Sequence, residues 1–396
     1  MEICSQKMKI FESSKEKKFL ILIMLLGLLV ILLVGLNTDL FLGDETWHYR
    51  FASTIYQTGQ RPIYDSLLNY SDVGKMRCVV DVLWHYGLVS FWKLSGGISR
   101  VTAQIYHTLY YLLLVTVTYL LGKELYGPKK GLDSVFLLIS IPMVPIFSTV
   151  LHFDTAVAAL VALCFLMLAK RLYLWAGISL GLLFLMKRNV YLLLPGVIWV
   201  TLFSQKDSLK GRFKRLLLLC IPAILITAPD FYFRIKNFGF DFLLPFPPGR
   251  TYLPVIKEFF LSSPVPWDME RIRYDISNLL SHPEALFTHF GFVLLISIAI
   301  YLIKKKYEKK DLFLLVLVIS CLLLFIIASP KVGFMLRYLS PLIPLLAVIG
   351  SLGISFIDSQ VLRRILVFGC ILQFLVASGY IFFQRRIPLE LNELYK

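Results

Sequence analysis

Charged residues are scarce in this 396-residue chain: Asp, Glu, Lys and Arg make up 17% of it, against about a quarter in an ordinary soluble domain. The six cysteines show no C-x-x-C or Cys/His spacing, which excludes a zinc module, and Cys78 stands alone outside the apolar blocks and the N-terminal tail, which excludes a disulfide scaffold. Neither G-x-x-x-x-G-K-[ST] nor G-x-G-x-x-G occurs, so direct use of ATP or NAD has no support. Acids are fewer than bases, 25 against 41, leaving a net charge of +16. What fills the chain instead is apolar: 58% hydrophobic and 14% aromatic, with a mean hydropathy of +0.74. These residues come in long blocks, not in amphipathic stripes. A soluble enzyme is excluded on that pattern. A nucleic-acid module is excluded because the bases are dispersed between blocks of bilayer length.

A membrane-crossing helix needs about 20 apolar residues, fewer where neighbours compensate. Eleven blocks qualify, near 19–37, 102–122, 134–151, 154–169, 172–186, 190–203, 214–232, 286–303, 312–328, 338–357 and 365–383. The first follows Lys15, Lys17 and Lys18 and continues through Val34 without a small-residue cleavage site, so it reads as a signal anchor. With the N-terminus inside, the inner segments carry 22 Lys+Arg and 9 acids, and the outer segments 19 and 16. The net +13 inside against +3 outside is the bias that orients membrane proteins. The expected placement is a multi-pass protein of the plasma (inner) membrane with a cytosolic N-terminal tail, 1–18.

Two connections are long, and both are predicted outside. Residues 38–101 hold Gly43-Asp44-Glu45-Thr46-Trp47-His48-Tyr49-Arg50 and then an amphipathic stretch, 79–95. There Val80, Leu83, Leu88, Phe91 and Leu94 are expected to share a helix face, with Trp84 and Trp92 at headgroup depth. The other loop, 233–285, is rich in proline and aromatics and is expected to be ordered against the membrane.

Ionisable residues avoid mid-span positions, where a transporter usually keeps them. They gather at the outer ends of the spans: Asp44, Glu45, His48 and Arg50; His152 and Asp154; Lys187 and Arg188; Asp230 and Arg234; Lys331 and Arg337. Each has a plain structural reading as well. Asp154 suits a helix N-cap, Lys187-Arg188 suit snorkelling, and His48, His85 and His289 suit hydrogen-bonded structural histidines. Taken together, basic groups near the headgroup plane suit a lipid phosphate, and an acid beside them suits proton abstraction from a hydroxyl. Sugar transfer from a lipid phosphate needs one carboxylate base, because the departing phosphate is already a stable anion.

These residues resemble those of the GT-C superfamily of integral-membrane glycosyltransferases, most nearly the protein O-mannosyltransferase and aminoarabinose-transferase branch. Four features carry the resemblance: Gly43-Asp44-Glu45 with Arg50 in the first outer loop, and Asp154 opening the fourth span. Lys187 precedes Leu192-Leu193-Leu194-Pro195, and Arg337-Tyr338-Leu339-Ser340-Pro341-Leu342-Ile343-Pro344 is similar to the family's "RYllPlyP" segment. Val79-Val80-Asp81 departs from the family's Pro-Pro stretch before the interfacial helix. The resemblance implies an all-α polytopic GT-C fold of about 11 transmembrane helices, one domain over 1–396, with interfacial helices in the first outer loop. It implies Asp44 as general base, Glu45 and Asp154 orienting acceptor or sugar, and Lys187 and Arg337, with Arg188, holding a polyprenyl phosphate. His48, Arg50 and His152 fall where they would contact acceptor or sugar. The implied partners are a polyprenyl-phosphate sugar donor, a protein, lipid or glycan acceptor, and the bilayer. No nucleic acid and no cofactor are expected, and a divalent metal is not favoured. A flippase for lipid-linked glycans and a non-catalytic subunit of the same fold are the competing readings.

Overall fold

The computed structural model describes residues 14–37, 44–63, 81–187, 190, 193–203, 208–238, 289–304, 318–319, 336–357 and 359–385. Among the described residues all regular structure is helical, as the apolar blocks predict. Helix α1 (Ser14–Leu36) is followed by α2 (Asp44–Thr58) and α3 (Leu83–Ser95), both within the first long loop. Then come α4 (Arg100–Tyr126), α5 (Pro128–Ser140), α6 (Met143–Thr149), α7 (Asp154–Ala169), α8 (Tyr173–Met186), α9 (Leu194–Phe203) and α10 (Leu209–Phe238). After these stand α11 (Phe292–Lys304), a 3₁₀ turn (Leu336–Leu342) running into α12 (Ile343–Ile354), and α13 (Gln360–Arg385).

Each described block predicted to span is helical, with two informative differences. The block at 134–151 is not one rod: α5 and α6 meet at 67°, because Pro142 sits at the break and cannot continue the hydrogen-bond ladder. The block at 214–232 belongs to a longer helix, α10, which carries Pro222 and Pro229 inside it and reaches Phe238. Among the described residues four helices are long and apolar enough to cross a membrane, five counting the bent pair, and five more apolar helices are shorter. The block expected at 312–328 lies outside the described residues except for Val318 and Ile319, as does the 233–285 loop beyond the end of α10.

Helix α4 is central and packs against α1, α3, α5, α6, α7 and α12. Helix α8 lies between α7 and α10. Gly177 and Gly181, one turn apart on α8, face α10 so closely that a Cβ on Gly177 would strike the carbonyl oxygen of Leu219. Small residues at such a spacing let two apolar helices approach backbone to backbone. That approach fixes the axial position of α8 and therefore of Lys187 at its end.

Helix α3 corrects one expectation. Its buried side is Trp84, His85, Leu88, Val89 and Trp92, while Leu94 is 86% exposed. Both tryptophans are fully buried, and Trp92 Nε1 donates to the Ser99 carbonyl at 2.8 Å. They pack within the protein and are not headgroup anchors, because α2 and α4 cover that face.

The two ends of the bundle differ in their polar chemistry. At one end, bases of the predicted inner loops close off carbonyls: Lys130 donates to Ser351 O at 2.9 Å, Arg215 to Thr201 O at 2.9 Å and Arg363 to Ile357 O at 2.8 Å. Glu45, Asp154 and Asp230 stand at the other end with His48, His85 and His152.

Candidate active site at one end of the bundle

Asp154 is the first residue of α7, and Phe153 occupies the cap position without a side-chain cap bond. The N-cap expectation is therefore corrected: the carboxylate serves tertiary partners instead of the helix's own amides. Its Oδ1 accepts from Lys187 Nζ at 2.5 Å and from Ser340 Oγ at 3.0 Å. Its Oδ2 stands 2.8 Å from His152 Nδ1. Asp154 is 1% exposed and Lys187 8% exposed, so this is a buried ion pair with several hydrogen bonds, the arrangement that makes charge burial tolerable. The Lys187 ammonium also lies 5.2 Å from the centroid of the Phe153 ring, within cation–π reach.

Glu45 ties the first loop to this place. Its Oε1 accepts from the Leu151 amide at 2.7 Å, joining α2 to the turn between α6 and α7. Asp44, one residue earlier, opens α2; its side chain lies outside the described residues. So do the Arg188 residue and the Arg337 side chain, although the backbone at Arg337 belongs to the 3₁₀ turn that also delivers Ser340 to Asp154. The loop lysine Lys331 falls outside as well. Arg50 is exposed on α2, whereas Glu45 and His48 are buried.

Histidines that the sequence presents singly are joined in space. His48 Nδ1 is 3.0 Å from His85 Nε2, and His85 Nδ1 is 3.0 Å from the Asp81 carbonyl oxygen. The His48 ring centre lies 5.0 Å from that of His152 and 4.9 Å from that of Phe153. Burial pushes His85 down to about 3. Burial first, then the charges of His152 and His85, hold His48 well below the ordinary histidine value. Both imidazoles are neutral near pH 7.

A second charged group joins the first loop to the end of α10. Arg61 Nη1 lies 2.6 Å from Asp230 Oδ1, Arg234 Nε pairs with Asp230 Oδ2, and Arg234 Nη2 lies 3.0 Å from Asp81 Oδ1. The Arg61 guanidinium sits over the Phe233 ring at 4.2 Å. Sequence reasoning singled out Asp230 and Arg234 but not their partners Arg61 and Asp81, nor Ser340 or Phe153; for His85 it gave the hydrogen-bonded structural role seen here but not the pairing with His48. Ser340 carried one signal: it lies three residues after Arg337, one turn of a 3₁₀ helix.

The fold has known counterparts. One is ArnT from Cupriavidus metallidurans bound to undecaprenyl phosphate, with a TM-score of 0.64 at 15% identity over 86% of this chain and 61% of that one. Apo ArnT from the same organism gives 0.61 at 14% over 93% and 76%. The Archaeoglobus fulgidus oligosaccharyltransferase AglB, in complex with an inhibitory peptide and a dolichol-phosphate, gives 0.55 at 13% over 93% and 56%. ArnT and AglB are both GT-C glycosyltransferases, so the chain has the GT-C fold. It spans 61% of the ArnT chain and 56% of the AglB chain in their lipid-phosphate complexes. No family model matches the sequence, and no curated protein matches it.

Proposed function

We propose that this protein is an inverting glycosyltransferase that moves a sugar from a polyprenyl-phosphate donor to an acceptor hydroxyl at the outer face of the membrane. The observation that carries the reading is the buried Asp154–Lys187 pair. It stands at the bundle end that also receives Glu45 and Ser340, in a fold whose solved examples include one bound to undecaprenyl phosphate and one in complex with a dolichol-phosphate.

In this reading Asp44 takes the proton of the acceptor hydroxyl as that oxygen attacks the anomeric carbon. The bond from that carbon to the phosphate oxygen breaks, and its electron pair leaves with the polyprenyl phosphate. Attack from the side opposite the leaving group inverts the anomeric centre. Lys187, Arg337 and Arg188 stabilise the phosphate as its charge grows, so no second acid is required. Asp154 acts as an orienting carboxylate by holding the lysine head in place, with Ser340 donating to the same oxygen and His152 beside the other. Glu45 orients by fixing the 150–153 turn through Leu151. No step in this reading calls on a metal ion.

The test incubates the purified chain in lipid nanodiscs with a panel of polyprenyl-phosphate sugars and candidate protein, lipid and glycan acceptors. Mass spectrometry should show one donor consumed and one acceptor gaining the mass of its sugar. Translocation of intact donor without consumption would instead support a flippase.

A further inference from the structure

We propose that His85 and His48 form a tautomer lock that presents the Nε2 lone pair of His48 as a fixed acceptor for one hydroxyl of the donor sugar. The inference rests on the glycosyl-transfer reading and adds a residue that sets sugar selectivity.

The proton positions follow from the partners. The Asp81 carbonyl oxygen can only accept, so the 3.0 Å contact puts a proton on His85 Nδ1. A neutral His85 then carries its lone pair on Nε2, and the 3.0 Å contact to His48 Nδ1 requires His48 to donate from that atom. A neutral His48 consequently bears its lone pair on Nε2, on the side of the ring away from His85. Burial keeps both rings neutral, and the charged and titratable groups that act on His48 are His152, His85, Asp154 and Lys187. Three of the four disfavour its protonation.

Location points to the sugar. The His48 ring is next to His152 and Phe153, and Phe153 is the ring under the Lys187 ammonium. A phosphate held by Lys187 places the sugar it carries one bond away, within the neighbourhood of His48. Two of the donors nearby are already engaged, since Lys187 and Ser340 both donate to Asp154 Oδ1, and His152 Nδ1 stands 2.8 Å from Asp154 Oδ2. A hydroxyl is therefore met by an acceptor-only nitrogen, and a site built that way rejects the analogue that lacks the hydroxyl.

The test compares the consumed polyprenyl-phosphate sugar with its single-deoxy analogues, one for each hydroxyl. For the wild-type protein, kcat/KM should fall about 10–100-fold for one analogue, the cost of leaving one buried polar group unpaired. His48→Phe should bring that ratio to within about threefold by losing activity on the full sugar. His48→Gln, whose amide oxygen reaches the Nε2 position, should restore much of the ratio, and His48→Asn, which reaches only the Nδ1 position, should not. In ¹⁵N-histidine spectra the wild type should show His48 neutral and protonated on Nδ1, and His85→Phe should convert it to a tautomer mixture. The proposal is overturned if His48→Phe keeps the wild-type ratio while still turning over donor, or if His48 proves protonated on Nε2. Failure of the wild type to consume any donor overturns the glycosyl-transfer reading itself and the sugar contact with it, an outcome distinguishable because the tautomer spectra are recorded without donor.

Discussion

Lys187 Nζ and Asp154 Oδ1 lie 2.5 Å apart although 33 residues separate them in the chain. The contact closes the end of the α7–α8 hairpin and leaves a buried charge pair in which Asp154 Oδ1 also accepts from Ser340 Oγ, while His152 Nδ1 stands 2.8 Å from Oδ2. A lysine held this way keeps its charge at a defined point, which is what a phosphate leaving group needs.

Removing one partner of the pair strands the other. Lys187→Ala and Asp154→Ala should each lower stability by about 3–5 kcal/mol, and Lys187→Ala should also weaken donor binding. The double variant should be less destabilised than the sum of the two, a coupling that thermal unfolding in detergent measures. Strict additivity would contradict the buried pair.

Asp44→Asn should abolish transfer while donor binding stays within about threefold of wild type, because a base acts in the transition state and not on the bound donor. Single-turnover assays with bound donor separate the two. Normal turnover would show that the base lies elsewhere.

Glu45→Ala leaves the Leu151 amide without its carboxylate partner. The expected loss is about 1–3 kcal/mol of stability, with transfer reduced because the turn that carries His152 and Phe153 shifts. Proteolytic susceptibility near residue 150 should rise, and its staying unchanged would count against the tie.

The buried histidines predict acid sensitivity. Their folded values lie below the ordinary histidine value of about 6.5, His85 at about 3, so the unfolded chain binds more protons between those limits. Stability should be level above about pH 6.5 and fall as pH drops from there towards 3, by up to about 1.4 kcal/mol per pH unit for each histidine. His85→Phe should flatten part of that slope in thermal melts recorded across the range. A slope unchanged by the substitution would show that other groups carry it.

Gly177→Val adds a side chain where α8 touches the Leu219 carbonyl. The helices must separate, and overpacking of this kind costs about 1–3 kcal/mol or more. Donor affinity should fall with stability, since α8 carries Lys187. A neutral outcome in melts would argue against the close approach.

Much of the helical order was legible in the sequence because apolar length and charge bias act along the chain. The blocks at 154–169 and 172–186 coincide with α7 and α8 to within a residue. Where prediction missed, the cause was local. The 67° bend hinged on Pro142 within an otherwise apolar run, and the buried face of α3 depended on which neighbours covered it. The gathering of Glu45, His152, Asp154 and Lys187 at one end was readable, since topology alone puts outer ends together. Their pairings were not. Asp154 as a cap and Asp154 as the partner of Lys187 look the same in the sequence, and His48 and His85 are 37 residues apart with no spacing rule to join them.

By itself the sequence determined that this is an apolar helical bundle with its acids and selected bases at common ends, because burial in lipid and the sidedness of positive charge are properties of composition and order. Tertiary structure alone decided which carboxylate holds the lysine, which face of α3 is inside, and which nitrogen of His48 is left to accept. Those depend on contacts of about 3 Å between residues far apart in the chain, and no local pattern encodes a distance of that kind.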